Sequence, residues 1–248
     1  MSHISEQTDN HKKEGLIPSC KWGSEVVISA EDVARNLLEI KKNIVHCNSR
    51  IIAVTKYYGS DAIVNAYEVG VRDFAESRAI DAVKKLATLP IEVKNNSTFH
   101  FIGHLQTNKV GIVVENFDYI HSVDSLKLAR VIDDKACSLN KREKVLLQLN
   151  NAGEEQKFGY TKEQLRLDLP HILELNSLEV VGLMCMAPLG ATDDELRFLF
   201  SDMQNFKVQL ENDFEIKLSE LSMGMSNDYE IALEYGATMI RIGRKLFK

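Results

Sequence analysis

Apolar and β-branched residues along this chain gather in short runs, and longer stretches with helical spacing separate them. Ile51, Ile52, Ala53, Val54 and Thr55 form the first run from residue 24 onward, and comparable runs end near Ala75, Gly103, Val123, Asn150, Met186, Met223 and Gly243. Unbroken apolar runs suit strands buried on both faces, as in parallel sheets. Helical patterns fill the intervals at 60–69, 77–89, 108–116, 124–139, 161–175, 192–212 and 227–235. About eight strands with seven helices between them approach the count of a single (β/α)8 TIM-type barrel. An additional N-terminal helix over 29–47 precedes the first strand and is expected to cover the place of the missing eighth. Residues 1–24 read as a flexible tail and 25–248 as one barrel domain. The rival, an open doubly wound sheet, would carry a GxGxxG loop after its first strand, and none is present.

Composition narrows the function classes. Of 248 residues, 44% are apolar and 27% charged, an ordinary balance for a water-soluble domain. A net charge of -6 gives no general attraction to nucleic acid or to anionic membranes, so any anion site must be local. The four cysteines, Cys20, Cys47, Cys137 and Cys185, form no CxxC pair and fit reduced thiols in a cytoplasm. The first residues show no apolar signal core, and the apolar stretch 180–189 is broken by Gly182 and Pro188 and is too short for a membrane span.

Unusual residues fall where a parallel barrel keeps its chemistry, at the carboxyl ends of strands. Lys56 ends the first run, a place where an ammonium is either solvated or compensated in a cavity. After the seventh comes "LSMGMSND", a glycine turn into a helix with Ser226 or Asn227 as N-cap and Glu230 placed for a capping box. After the eighth comes "IRIGRK", with Arg241 two residues before Gly243. Each has a plain alternative: a solvated strand end, a cap, an ion-pair partner for Glu76 or another acid. Together they suggest a phosphate-bearing aldehyde held as a Schiff base, namely pyridoxal 5'-phosphate (PLP).

The strings "AVTK", "HFIGHLQTNKV", "GLMCMAP", "LSMGMS" and "RIG" occur in that order at strand ends. In these the chain resembles the pyridoxal phosphate homeostasis family (YggS/PROSC), which is similar to the barrel domain of alanine racemases. The resemblance runs from about residue 29 to 247. It implies that Lys56 carries PLP, and that Ser226, with the backbone of Met223, Gly224, Met225, Ser226 and Gly243, holds the phosphate. It further implies that Arg241 faces the pyridine nitrogen and that Ser77 stands at the cofactor. Three departures are visible: Ala75 and Ser77 replace the family's usual glycine and asparagine, the usual proline near Gly59 is missing, and Gln156 replaces a serine beside Lys157.

The resemblance also implies a role. An arginine at the ring nitrogen disfavours carbanion chemistry, and the additional β domain that gives alanine racemases their second base has no counterpart here. A PLP-binding protein of cytoplasmic PLP homeostasis and delivery is therefore the expectation, with a weak PLP-dependent amino-acid racemase as the alternative. The partners expected are PLP and apo PLP-dependent enzymes, around a monomer or weak dimer, without nucleic acid, membrane or metal. His104 and Tyr57 lie at strand ends as candidate bases or ring covers, while His46, His100, His121 and His171 match no metal-ligand spacing.

Overall fold

Eight strands close into a barrel in sequence order: β1 (Arg50–Val54), β2 (Asp73–Glu76), β3 (Thr98–Phe101), β4 (Tyr119–Val123), β5 (Glu143–Leu149), β6 (Leu178–Cys185), β7 (Glu220–Met225) and β8 (Met239–Ile242). Every neighbouring pair is parallel, including β1 with β8. The computed structural model describes residues 28–44, 49–151 and 158–248. The expected tail 1–24, Cys20, His46, Cys47, Gln156 and Lys157 lie outside these described residues. Each strand ends within two residues of the position that the apolar runs predict.

The helices are α1 (Ala30–Lys42), α2 (Ser60–Glu68), α3 (Ala79–Ala87), α4 (Ile91–Asn95), α5 (Val110–Asn116), α6 (Leu126–Ser138), α7 (Lys162–Leu173), α8 (Asp193–Phe214), α9 (Tyr229–Glu234) and α10 (Arg244–Phe247). Ser29 caps α1 by accepting from the Asp32 N–H at 3.1 Å, and Val33, Leu37 and Ile40 give it a buried stripe. That stripe lies beside α2 and α10, and the Asn36 amide donates to the carbonyls of Leu246 and Lys248 at 3.1 and 3.0 Å. The N-terminal helix thus closes the ring where α10, only four residues long, leaves it open. Two short helices were not predicted: α4 and α10 are each too short to show a helical period.

Two cores flank the sheet. The larger lies between the strands and the outer helices. The smaller fills the barrel and includes Ile52, Val54, Ala75, Leu146, Met184 and Met239. Strand side chains alternate between faces, so Ile52 and Val54 fix the inward phase of β1. Lys56 continues that phase past the strand's end, and a residue that looks misplaced in a buried run therefore points toward the barrel mouth.

Candidate functional site

A cavity of about 550 Å³ opens at the carboxyl ends of the strands. Lys56, Ser77, Met225, Ser226, Arg241 and Gly243 line it, so the structure brings together six of the eight residues expected there. The other two, Met223 and Gly224, are buried within β7 and do not line it. Tyr57, Tyr58, Ile102, Met186 and Asp228 complete much of the wall.

Three cations line the cavity, Lys56, Arg241 and the exposed Arg244, and the two that are buried or half-buried have no carboxylate at bonding distance among the described residues. Lys56 is half-buried, its Nζ 5.1 Å from the centroid of the Tyr57 ring, and no carboxylate pairs with it among the described residues. Arg241 is only 4% exposed. It donates to Ser222 Oγ at 2.6 Å and to the Cys185 carbonyl at 2.8 Å, both uncharged acceptors. Burial pushes its guanidinium below the usual value, and nearby Asp228 opposes that shift without reaching bonding distance. The possible ion pair with Glu76 does not form. Glu76 accepts instead from Lys85 and from the Thr55 hydroxyl, each at 2.6 Å, as a buried cluster beneath the mouth.

The turn after β7 differs from its sequence reading. The N-cap of α9 is Asp228, not Ser226 or Asn227, and no side chain closes a capping box. Asp228 instead takes the Met225 N–H with its carboxylate, and Glu230 is drawn to Asn43 and Lys245, both at 3.0 Å. The six-residue α9 presents little dipole, so an anion there depends on the turn itself. Gly224 makes that turn possible: its φ of +87° and a β-bulge between Ser222 and Met225 shift the phase of β7, and a Cβ there would lie 2.7 Å from that of Ala232. Ser226 is thereby delivered to the rim, where its Oγ accepts from the N–H groups of Gly243 and Lys245 at 3.3 and 3.4 Å. Two backbone donors from the β8–α10 turn thus converge on one oxygen position.

Other candidates separate. Tyr57 is exposed at the mouth, whereas His104 does not line the cavity: its ring stacks on Phe158 at 3.5 Å and lies 3.4 Å from Asp124. His100 and His121, expected only to match no metal-ligand spacing, prove to be joined side by side inside the barrel. Sequence reasoning also missed Ser222, the Cys185 carbonyl and Asp228. The available signal was phase: Ser222 precedes the bulge on the inward face, as Arg241 does on β8.

Residues 28–248 match the alanine racemase N-terminal domain family. The pyridoxal phosphate homeostasis protein of Synechocystis is 45% identical over 198 residues, which cover 80% of this chain and 90% of that one. The chain belongs to the pyridoxal phosphate homeostasis family. Its relative of that name in Aquifex aeolicus is 35% identical over 202 residues, covering 80% of this chain and 86% of its own. Among solved structures, PipY of Synechococcus elongatus with PLP bound superposes with a TM-score of 0.80 at 37% identity, covering 87% of this chain and all of PipY. The alanine racemase of Clostridium difficile, at 16% identity and a TM-score of 0.71, shares the fold, with 57% of its length covered. The predicted TIM-type barrel and family resemblance are both met. No helix among the described residues is long and apolar enough to cross a membrane.

Proposed function

We propose that the cavity binds PLP, with Lys56 as its covalent anchor, Ser226 and the backbone of Gly243 at its phosphate, and Arg241 toward its ring nitrogen. In this reading the chain is a cytoplasmic carrier that takes part in PLP homeostasis and delivers PLP to apo-enzymes. One observation carries it: a half-buried lysine and a fully buried arginine share one cavity, and no carboxylate lies within bonding distance of either among the described residues. Buried charge left in that state calls for an anionic, electron-rich ligand. PLP bound to PipY, and the name of the Synechocystis relative, support the same ligand.

The residues present fit the group. When bound, PLP supplies an aldehyde that condenses with an amine and a ring that draws electrons from what is attached to it. The Lys56 amine, once neutral, is placed to form the Schiff-base C=N bond with loss of one water. The Gly243 N–H now donates to Ser226 Oγ and would turn to a phosphate oxygen beside the Ser226 hydroxyl, while the Met225 N–H is committed to the Asp228 carboxylate. Arg241 is a donor only, so it leaves a facing ring nitrogen as an acceptor and weakens the ring as an electron sink. That favours holding over turnover, and therefore a carrier over a racemase.

Borohydride treatment after incubation with PLP, followed by peptide mapping, tests this. The adduct is expected on Lys56, with loss of visible absorbance in Lys56→Ala. An adduct confined to another lysine, or no Schiff-base absorbance in the parent, overturns the assignment.

A further inference from the structure

Five polar side chains from five different strands meet on the inner face of the barrel and run from its amino end to the cavity. Arg241 donates to Ser222 Oγ at 2.6 Å, and Ser222 Oγ lies 2.9 Å from His121 Nδ1. His121 Nε2 lies 2.9 Å from His100 Nδ1, and His100 Nε2 lies 3.0 Å from Asp73 Oδ1. His100, His121 and Ser222 are buried to within 1% of fully enclosed. Apolar side chains of the inner cluster surround the line, and Tyr119 stacks on His100 at 4.7 Å.

The two ends of the line fix its direction. A guanidinium has N–H donors and no acceptor, so the first link runs from Arg241 to Ser222. The Asp73 carboxylate only accepts, so a neutral His100 donates from Nε2 and accepts at Nδ1 from His121 Nε2, which leaves His121 Nδ1 to accept the Ser222 hydroxyl proton. Asp73, ion-paired with Arg50 at 3.3 Å, ends the line as an acceptor. Burial pushes both imidazoles below their usual value, His121 furthest and His100 against the pull of Asp73, which favours the neutral rings that this direction requires. Links that all point one way polarise one another and resist rotation of any member.

We propose that Ser222 and His121 are positioning residues, which act through this one-directional chain, anchored on Asp73, to hold the Arg241 guanidinium at the angle it presents to the cavity's ligand. Its consequence for PLP rests on the reading above; the chain itself does not. Two of Arg241's N–H groups are spent on Ser222 and Cys185, which leaves the remaining donors aimed by these anchors. A guanidinium released from Ser222 would swing within the cavity and lose its single geometry toward a ring nitrogen.

Nitrogen-15 NMR of histidine-labelled full-length protein without PLP tests the chain directly. Both buried imidazoles are expected as neutral rings protonated at Nε2 alone; an Nδ1–H form of either in the parent overturns the proposal. The positioning role is read with PLP labelled at its ring nitrogen. Ser222→Ala is expected to weaken PLP binding about threefold to tenfold, the worth of one hydrogen bond, and to shift the ring-nitrogen resonance, while Ser222→Thr restores both. Parent-like affinity and resonance in a folded Ser222→Ala overturn the role. A parent that binds no PLP would sink the cofactor reading alone, since the tautomers still decide the chain.

Discussion

Two arginines stand inside this barrel, one at each end, and burial works against the charge of both. At the amino end Arg50 lies between Asp73 at 3.3 Å and Glu220 at 2.8 Å, with its guanidinium over Tyr119. Glu220, Tyr119 and Asp73 outweigh that desolvation and hold Arg50 above its usual value. At the carboxyl end Arg241 has a hydroxyl and a carbonyl for company and falls below its usual value. One cation is paired within the protein's own structure; the other has no carboxylate at bonding distance among the described residues. Charge that a fold leaves uncompensated, where compensation is available elsewhere in the same barrel, marks the site better than residue type does.

Exchanging each arginine for methionine puts the comparison at risk. Arg50→Met leaves two carboxylates facing each other at the barrel's floor and should cost about 2–4 kcal/mol, less than for a fully buried pair because Arg50 is one-third exposed. Arg241→Met removes a cation with no bonded carboxylate among the described residues and should move stability by no more than about 1 kcal/mol, the lost hydrogen bonds offsetting the relieved desolvation. PLP binding should respond in the opposite order. Urea unfolding and a PLP titration of the two variants would show it, and a larger stability loss from Arg241→Met would reverse the assignment of scaffold and site.

The mouth can be divided in the same way with two glycines. Gly224→Ala places a Cβ at a left-handed φ of +87° and 2.7 Å from Ala232, and should cost about 2–3 kcal/mol. A Cβ at Gly243 would meet the Val54 carbonyl at 3.4 Å, ordinary contact, so Gly243→Ala should keep stability within about 1 kcal/mol. Its methyl, at the cavity wall, should instead weaken PLP binding about tenfold, equivalent to ~1.4 kcal/mol. Thermal unfolding and PLP affinity separate the two: one glycine shapes the turn, the other makes room at the ligand.

The barrel was legible in the sequence because a strand buried on both faces writes itself as an unbroken apolar run, and eight such runs alternate with helical spacing. Lys56 was legible as a lysine at the end of such a run, and Arg241 and Gly243 as a polar interruption of another. What stayed hidden depends on a bulge. Gly224 changes the phase of β7, so Ser222 before it and Met225 after it both face the barrel interior or its mouth, and counting by twos from Ser222 misplaces Met225. Asp228 was overlooked as a cap because its carboxylate turns back to Met225 instead of forward into α9. The pairing of His100 with His121 lies beyond any local pattern, since it depends on the lateral register of β3 and β4.

The amino end has its own exception, and it carries the smallest predicted effect. Glu143, at the start of β5, is fully buried, with Lys141 Nζ 2.7 Å from one carboxylate oxygen. Lys141 also directs protons to the carbonyls of Val114 and Phe117, so it divides its donors among three acceptors and leaves the carboxylate under-satisfied. Burial therefore dominates, Lys141 only partly opposes it, Asp118 adds to it, and the carboxyl is pushed from 4.5 up to about 7. Between those two values the folded protein binds more protons than the unfolded chain, so this residue's contribution to stability declines as pH rises through the window. The cost is complete above about pH 7 and absent below about pH 4. Glu143→Gln keeps the shape and removes the titration, so its advantage over the parent should grow by about 2 kcal/mol from pH 5 to pH 8, less than the full shift because part of the titration window lies below pH 5. Urea midpoints at the two pH values decide it. An advantage that shrinks toward pH 8 would mean that Lys141 compensates Glu143 as fully as Asp73 and Glu220 compensate Arg50, and the amino end would then have no exception.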